Sequence, residues 1–170
     1  ITLLADPKYI DGTPVRIGSS EDITENAPMV TLEPSTGYGT LKGVFFDSNM
    51  LIVPIGYKVR DINSQEEANN EIARHAFTLV YDSTQPAENG TLKLRLYHGI
   101  TDPEGETVTR TKDAYDYKAY DLSGAILDYR VNNNDTKPTK VSIVIMQNRD
   151  NNKLDLATEE TYTYDYKFTD

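Results

Sequence analysis

Thr91-Leu92-Lys93-Leu94-Arg95-Leu96-Tyr97-His98 places a leucine at every second position and a long polar or aromatic side chain between. Strict alternation is the period of a β-strand, because successive side chains leave opposite faces of a pleated backbone. A helix would spread the same three leucines around its circumference. The stretch therefore predicts a strand with one buried and one wet face. Asn89-Gly90 just upstream is a turn dipeptide that tolerates positive φ.

Strand signals recur on both sides of this segment. Val141 to Met146 is almost continuously apolar, which predicts a central strand covered on both faces. Tyr162, Tyr164, Tyr166 and Phe168 alternate with Thr163, Asp165, Lys167 and Thr169, predicting a terminal strand with an aromatic row on one face. Leu41 to Phe46 and Met50 to Val59 read as two strands joined through Asp47-Ser48-Asn49, with Pro54 marking an edge position or a bulge. Phe77 to Tyr81, a weaker Glu106 to Thr111 after the Asp102–Gly105 turn, Tyr115 to Leu122 and Ala125 to Val131 complete the extended segments. The first 36 residues, with prolines at 7, 14, 28 and 34 and an Asp11-Gly12 turn, read as loops around one short strand from Met29 to Glu33. Ser64 to Ala76 is the one helix expected. Ser64 with Glu67 three residues on forms a capping box, and Ile72, Ala73 and Ala76 share a face.

Many short strands, turn clusters between them and a lone helix predict an all-β, antiparallel β-sandwich of the jelly-roll kind, formed as one domain over residues 1–170. A parallel α/β sheet would need a helix between most strands.

Composition narrows function by exclusion. The 170 residues carry 27 acidic and 17 basic side chains, a net charge of −10, which disfavours a phosphate backbone or an anionic membrane surface. No run approaches the ~18 apolar residues of a transmembrane segment. Absent cysteine removes disulfides, thiolate catalysis and cysteine-ligated metals. Ile1 rather than Met leads the sequence, which predicts a processed or trimmed chain, a secreted mature domain or an excised fragment, from which any signal peptide has gone.

Candidate chemistry is sparse. His75 and His98 are the two imidazoles. His98 continues the leucine face and predicts a half-buried structural histidine, and no His-x-x-x-His spacing supports a transition metal. There is no Gly-x-Ser-x-Gly elbow, and nothing selects a carboxylate pair from the 27 acids, so no enzyme is expected. Asp150, Asn152 and Asp155 lie in an Asn/Asp-rich loop whose hard oxygens suit Ca²⁺, although the same residues serve a plain hairpin turn. No other cofactor is expected.

The 12 tyrosines are the most informative feature. Tyrosine offers a flat apolar ring with a polar tip, suited to stacking on a sugar or anchoring a protein surface. Tyr115, Tyr117 and Tyr120 form one candidate ligand-binding group, and Tyr162, Tyr164 and Tyr166 another. Tyrosine also favours strands whatever the function, so core packing is the competing expectation.

Tyr115-Asp116-Tyr117-Lys118-Ala119-Tyr120-Asp121-Leu122, then Asp128-Tyr129, then Lys137-Pro138 leading into Val141 to Met146, resembles the late strands of jelly-roll, carbohydrate-binding-like modules. Those modules occur in secreted or surface lipoproteins of Bacteroidetes-type bacteria. The sequence departs from them in lacking a Trp in the aromatic strand and in placing Gln147-Asn148 where a run of small residues and serines is usual. The resemblance implies a cell-envelope location and a glycan or calcium site. The expected function is a non-enzymatic, extracytoplasmic accessory module that binds a glycan or a protein surface. The alternatives are a fimbrial or other assembly subunit joined by strand addition, and a two-carboxylate hydrolase.

Overall fold

The leucines of Thr91 to His98 do face inward: Leu92, Leu94 and Leu96 are all buried. Across from them lie Leu51, Val53, Ile55 and Tyr57, the alternate residues of Met50–Val59, in the same apolar cluster. A computed structural model describes residues 12–168 and sets these two rows in facing sheets. The expected prolines and turn at positions 7 and 11, and Thr169 of the terminal strand, fall outside those residues.

The strands run in chain order β1 (Thr13–Pro14), β2 (Arg16–Ile17), β3 (Ser35–Thr36), β4 (Gly39–Thr40), β5 (Val44–Phe45), β6 (Met50–Val59), β7 (His75–Tyr81), β8 (Thr91–Ile100), β9 (Lys112–Asp121), β10 (Lys140–Gln147) and β11 (Thr158–Asp165). The helices are α1 (Gln65–Arg74) and α2 (Ser123–Asn132). One sheet is ordered β1-β9-β6-β5 and the other β11-β10-β8-β7-β2, while β3 and β4 form a small ribbon.

The sheets are mixed, which corrects the expectation of a purely antiparallel sandwich. β8 and β10 run parallel, Leu92 opposite Val141 and Leu94 opposite Ile143, and the short β1 and β2 pair in parallel with β9 and β7. The chain leaves β8, crosses to the facing sheet as β9, and returns through α2 before entering β10. That detour removes the hairpin that would have forced an antiparallel partner.

α2 takes the whole of Ala125 to Val131, expected to be extended, so the chain has two helices where one was expected. Ala125, Ile126 and Tyr129 are buried, a spacing of one and four residues that suits a helical face. Asp121 starts the turn by accepting the Ser123 backbone N–H at 2.8 Å. α1 forms where the capping box predicted it: the Ser64 hydroxyl accepts the Glu67 N–H at 3.1 Å, and Glu67 Oε2 accepts the Asn63 N–H at 2.8 Å.

Other departures are local. Glu106 to Thr111 forms no strand, and Met29 to Glu33 makes only isolated bridges, Met29 to Gln147 and Thr31 to Gly56. Pro54 sits at an unpaired stretch of edge, as expected. The residues of β6 that bond away from β9 are Met50, to Phe46, Ile52, opposite Val44, and Gly56, opposite Thr31, so Pro54 falls in the gap between the last two.

Candidate functional site

The strand parity of β9 divides its tyrosines. Tyr115 and Tyr117 project from the outer face, 49% and 50% exposed, with ring centroids 6.2 Å apart and planes at 89°. Their cross-strand partners on β6 are Gly56 and Pro54, which have no long side chains to cover the rings. Beside Tyr115 opens a hollow of about 410 Å³, also lined by Thr31, Glu33, Ser35, Asp113 and Arg149. Arginines 16, 60, 74, 95, 110 and 130 each reach a carboxylate, whereas Arg149 stands exposed at this rim.

Tyr120 is an odd number of residues from both and faces inward. It is 2% exposed, and its hydroxyl donates to the Phe77 carbonyl of the facing sheet at 3.1 Å. Burial pushes its phenol well above the ordinary value. The structure therefore brings two of the three first-group tyrosines together and places the third in the core.

The second tyrosine group keeps its predicted common face, and that face turns inward. The Tyr162 hydroxyl sits 2.9 Å from Thr31 Oγ1 and donates to Gln147. Tyr164 packs so tightly on Gly43 that a Cβ there would lie 2.6 Å from its ring. Its buried hydroxyl has no hydrogen-bond partner among the described residues, and burial pushes it upward. Tyr166 is buried, donates to the Ser48 carbonyl at 2.7 Å and meets Phe45 and Phe168 edge-on.

Asp150, Asn152 and Asp155 lie in the loop after β10 and the 3₁₀ turn Leu154–Leu156. A buried neighbour, Asn148, organises that loop. Its Oδ1 accepts the Asp150 and Asn151 N–H groups at 3.0 and 3.1 Å, and its amide donates to Asn151 Oδ1 and the Lys153 carbonyl. Among the described residues no group of three or more histidine, aspartate or glutamate side chains is placed to hold a metal ion.

His98, expected to be half-buried, is wholly buried, and with His75 it belongs to a buried polar line. Arg110, from the loop expected to be a strand, gives Nε to Glu71 Oε1 at 2.7 Å and its two Nη groups to Asp102 at 2.9 and 2.6 Å. Glu71 Oε1 meets His75 Nε2 at 3.1 Å, His75 Nδ1 meets His98 Nε2 at 2.9 Å, and His98 Nδ1 meets the Pro28 carbonyl at 3.0 Å. Burial pushes Glu71 upward, but the hydrogen bonds from Arg110 and His75 outweigh it and hold the carboxyl below its ordinary range. With both rings sealed from solvent, this line is poorly placed to meet a substrate.

A second hollow, of about 320 Å³, lies on the outer face of the five-stranded sheet between Lys93, Arg95, Tyr97 and Glu159. Its charges are already matched: Arg95 stacks over Tyr97 at 5.4 Å and pairs with Glu159 at 2.8 Å.

Among solved structures, that of a provisionally assigned lipoprotein from Bacteroides fragilis superposes with a TM-score of 0.85 at 35% identity. The alignment covers 99% of this chain and 76% of that one. The chain belongs to that protein's family. An uncharacterized protein from Parabacteroides merdae aligns at a TM-score of 0.47 and 12% identity over 92% of this chain and 67% of that one, too loosely to carry an argument. No family model matches the chain, and no curated protein does.

The buried line had one sequence signal. Glu71 and His75 stand four apart on the predicted helix, the spacing of side chains that touch. The partners His98 and Arg110 come from distant segments and left none.

Proposed function

We propose that the protein is a non-enzymatic, extracytoplasmic accessory module that binds a glycan on the Tyr115–Tyr117 face. The observation that carries this reading is the half-exposed, edge-to-face tyrosine pair, of which Tyr115 lines the rim of a hollow. Apolar rings stack on the C–H faces of a sugar, while Glu33, Ser35, Asp113 and Arg149 offer donors and acceptors to its hydroxyls. The extracytoplasmic placement is supported by the lipoprotein name of the Bacteroides relative. No helix among the described residues is long and apolar enough to cross a membrane. The burial of both imidazoles supports a role without bond-making.

A glycan array probed in calcium and again in a chelator tests the reading. Retention of at least one glycan is expected, unchanged by chelation, and lost by about tenfold for each of Tyr115→Ala and Tyr117→Ala, roughly 1.4 kcal/mol per ring. An array with no retained glycan, or a double alanine variant that binds as before, overturns it.

One observation favours a second reading, assembly by strand addition. β11 is eight residues long and forms an edge of the five-stranded sheet. Light scattering across a concentration series separates the two, since assembly predicts a mass that grows with concentration.

A further inference from the structure

The buried line from Glu71 to Pro28 needs more hydrogens than its two imidazoles supply. Three contacts run along it, at 3.1, 2.9 and 3.0 Å, and each has hydrogen-bond length. Its ends are a carboxylate oxygen and a backbone carbonyl oxygen, which accept and do not donate. Each contact requires one hydrogen, whereas two neutral imidazoles carry one each. Whichever tautomers are chosen, one contact then sets lone pair against lone pair in a buried place. We infer that the folded protein binds one additional proton here at neutral pH, held as a His75 imidazolium between Glu71 and a neutral His98.

The geometry selects His75 over the other members. Glu71 is engaged as an acceptor on both oxygens by Arg110, at 2.7 and 3.3 Å, which suits an ionised carboxylate. His98 has neutral neighbours in the Pro28 carbonyl and the His75 ring. The His75 ring alone touches an anion. Aromatic rings flank both imidazoles, Tyr57 with its centroid 4.8 Å from that of His75 and Phe77 stacked at 4.5 Å on His98, so the choice rests on Glu71.

The charges around the site balance before the proton is added. α1 contributes Glu71 and Arg74, the segment after β6 contributes Arg60, and the loop after β8 contributes Asp102, Glu106 and Arg110. Three anions face three cations, within a chain of net charge −10. From β6 comes the Tyr57 hydroxyl, kept neutral because burial pushes it up to about 12, with Asp116 of β9 acting on it in the same sense. Burial works against a charge on either imidazole, and with the Arg110 charge it holds His75 below its ordinary value and takes His98 down to about 4. On His75 the hydrogen bond and charge of Glu71 oppose that lowering. Deprotonating His75 would add the cost of an unsatisfied buried contact, and this tips the balance toward keeping the proton.

The site fastens together parts that the chain brings in separately: α1 through Glu71, the starts and ends of β7 and β8 through the two imidazoles, and the 26–28 segment through Pro28. With two histidines in the sequence, ¹⁵N-imidazole labelling yields two ring systems. At pH 7.5 the expected spectrum shows one ring protonated on both nitrogens and one neutral ring protonated on Nδ1. Two neutral rings at that pH overturn the inference. Glu71→Gln removes the anion beside His75 while its amide oxygen can still accept from Arg110 Nε, so the doubly protonated ring should lose its extra proton at a lower pH than in the wild type; a titration unchanged by the variant overturns the assignment to His75. The wild-type spectrum decides the matter even where this variant fails to fold.

Stability provides an independent readout with a definite sign. Unfolded histidine titrates near about 6.5, so above that pH unfolding of the wild type releases the proton. The unfolding constant should therefore rise about tenfold per pH unit from about pH 7 until the folded site itself titrates. A stability that is flat or increasing from pH 7 to 9 overturns the inference.

Discussion

Replacing Arg110 with alanine should destabilise the protein by about 3–5 kcal/mol, the range found when one partner of a buried pair is removed. The magnitude follows from where its two partners stand. The Asp102 side chain is 27% exposed and also held by Arg74 at 3.2 Å, so it can recover solvent and a cation. Glu71 is 0% exposed and receives Arg110 Nε at 2.7 Å and Nη2 at 3.3 Å. Its remaining ion-pair partners are Arg60 at 3.6 Å and His75 at 3.1 Å. The loss therefore falls on a carboxylate that water cannot reach. For a domain of this size it corresponds to a midpoint about 6–20 °C lower, at roughly 2–4 °C per kcal/mol. In urea, with a slope of about 2 kcal/mol/M, the midpoint should fall by roughly 1.5–2.5 M at unchanged slope. Arg110→Lys restores the charge without the planar fork and should recover only part of the loss. A change below about 1 kcal/mol for the alanine variant would mean that the pair behaves as a surface bridge, and the account of a sealed polar line would be wrong.

Two further variants test the scaffold. Gly99→Ala would set a Cβ 2.7 Å from the Thr24 carbonyl oxygen, a backbone atom that cannot turn aside. Equilibrium unfolding should report a loss of about 1–3 kcal/mol, and a neutral result would show that the 22–28 segment is free to retreat from β8. Ser64→Ala removes the acceptor of the Glu67 N–H and should cost about 1 kcal/mol by the same assay. A cost near zero would mean that α1 is held by Glu71 and its partners rather than by its cap.

How far the fold was legible follows from which physical signal each element carries. β8 could be read because one face packs on the common core, which imposes period two on its leucines, and β10 because Val141 to Met146 is almost continuously apolar. α2 escaped because its apolar residues lie all round: Ala125, Ile126 and Tyr129 are buried, while Leu127 and Val131 are 61% and 74% exposed. A helix without a polar side leaves no stripe to recognise. The parallel pairing of β8 with β10 was hidden for another reason, since partners so far apart in the chain leave no turn signature between them. The stretch before β9 was read as a strand from its threonines and valine, yet Arg110 there turns inward to Glu71. Pairing with a buried carboxylate took precedence over β propensity, as tertiary contacts commonly do.

The tyrosines show how the same rule separates packed rings from exposed ones. Residues 115 and 117 share parity, and 120 does not, so the sequence already contained the split between an outer pair and an inner anchor. Parity alone did not say which side was outer. That was decided by β6, where Pro54 and Gly56 lie opposite Tyr117 and Tyr115 and leave both rings uncovered. The row at 162, 164 and 166 has equally regular parity, but Gly43, Phe45 and Thr31 close over it. The rings free to meet a ligand are thus those whose neighbours are small or lack a projecting side chain. An aromatic row in a strand says that a face is apolar, whereas the residues opposite it decide whether that face is still open.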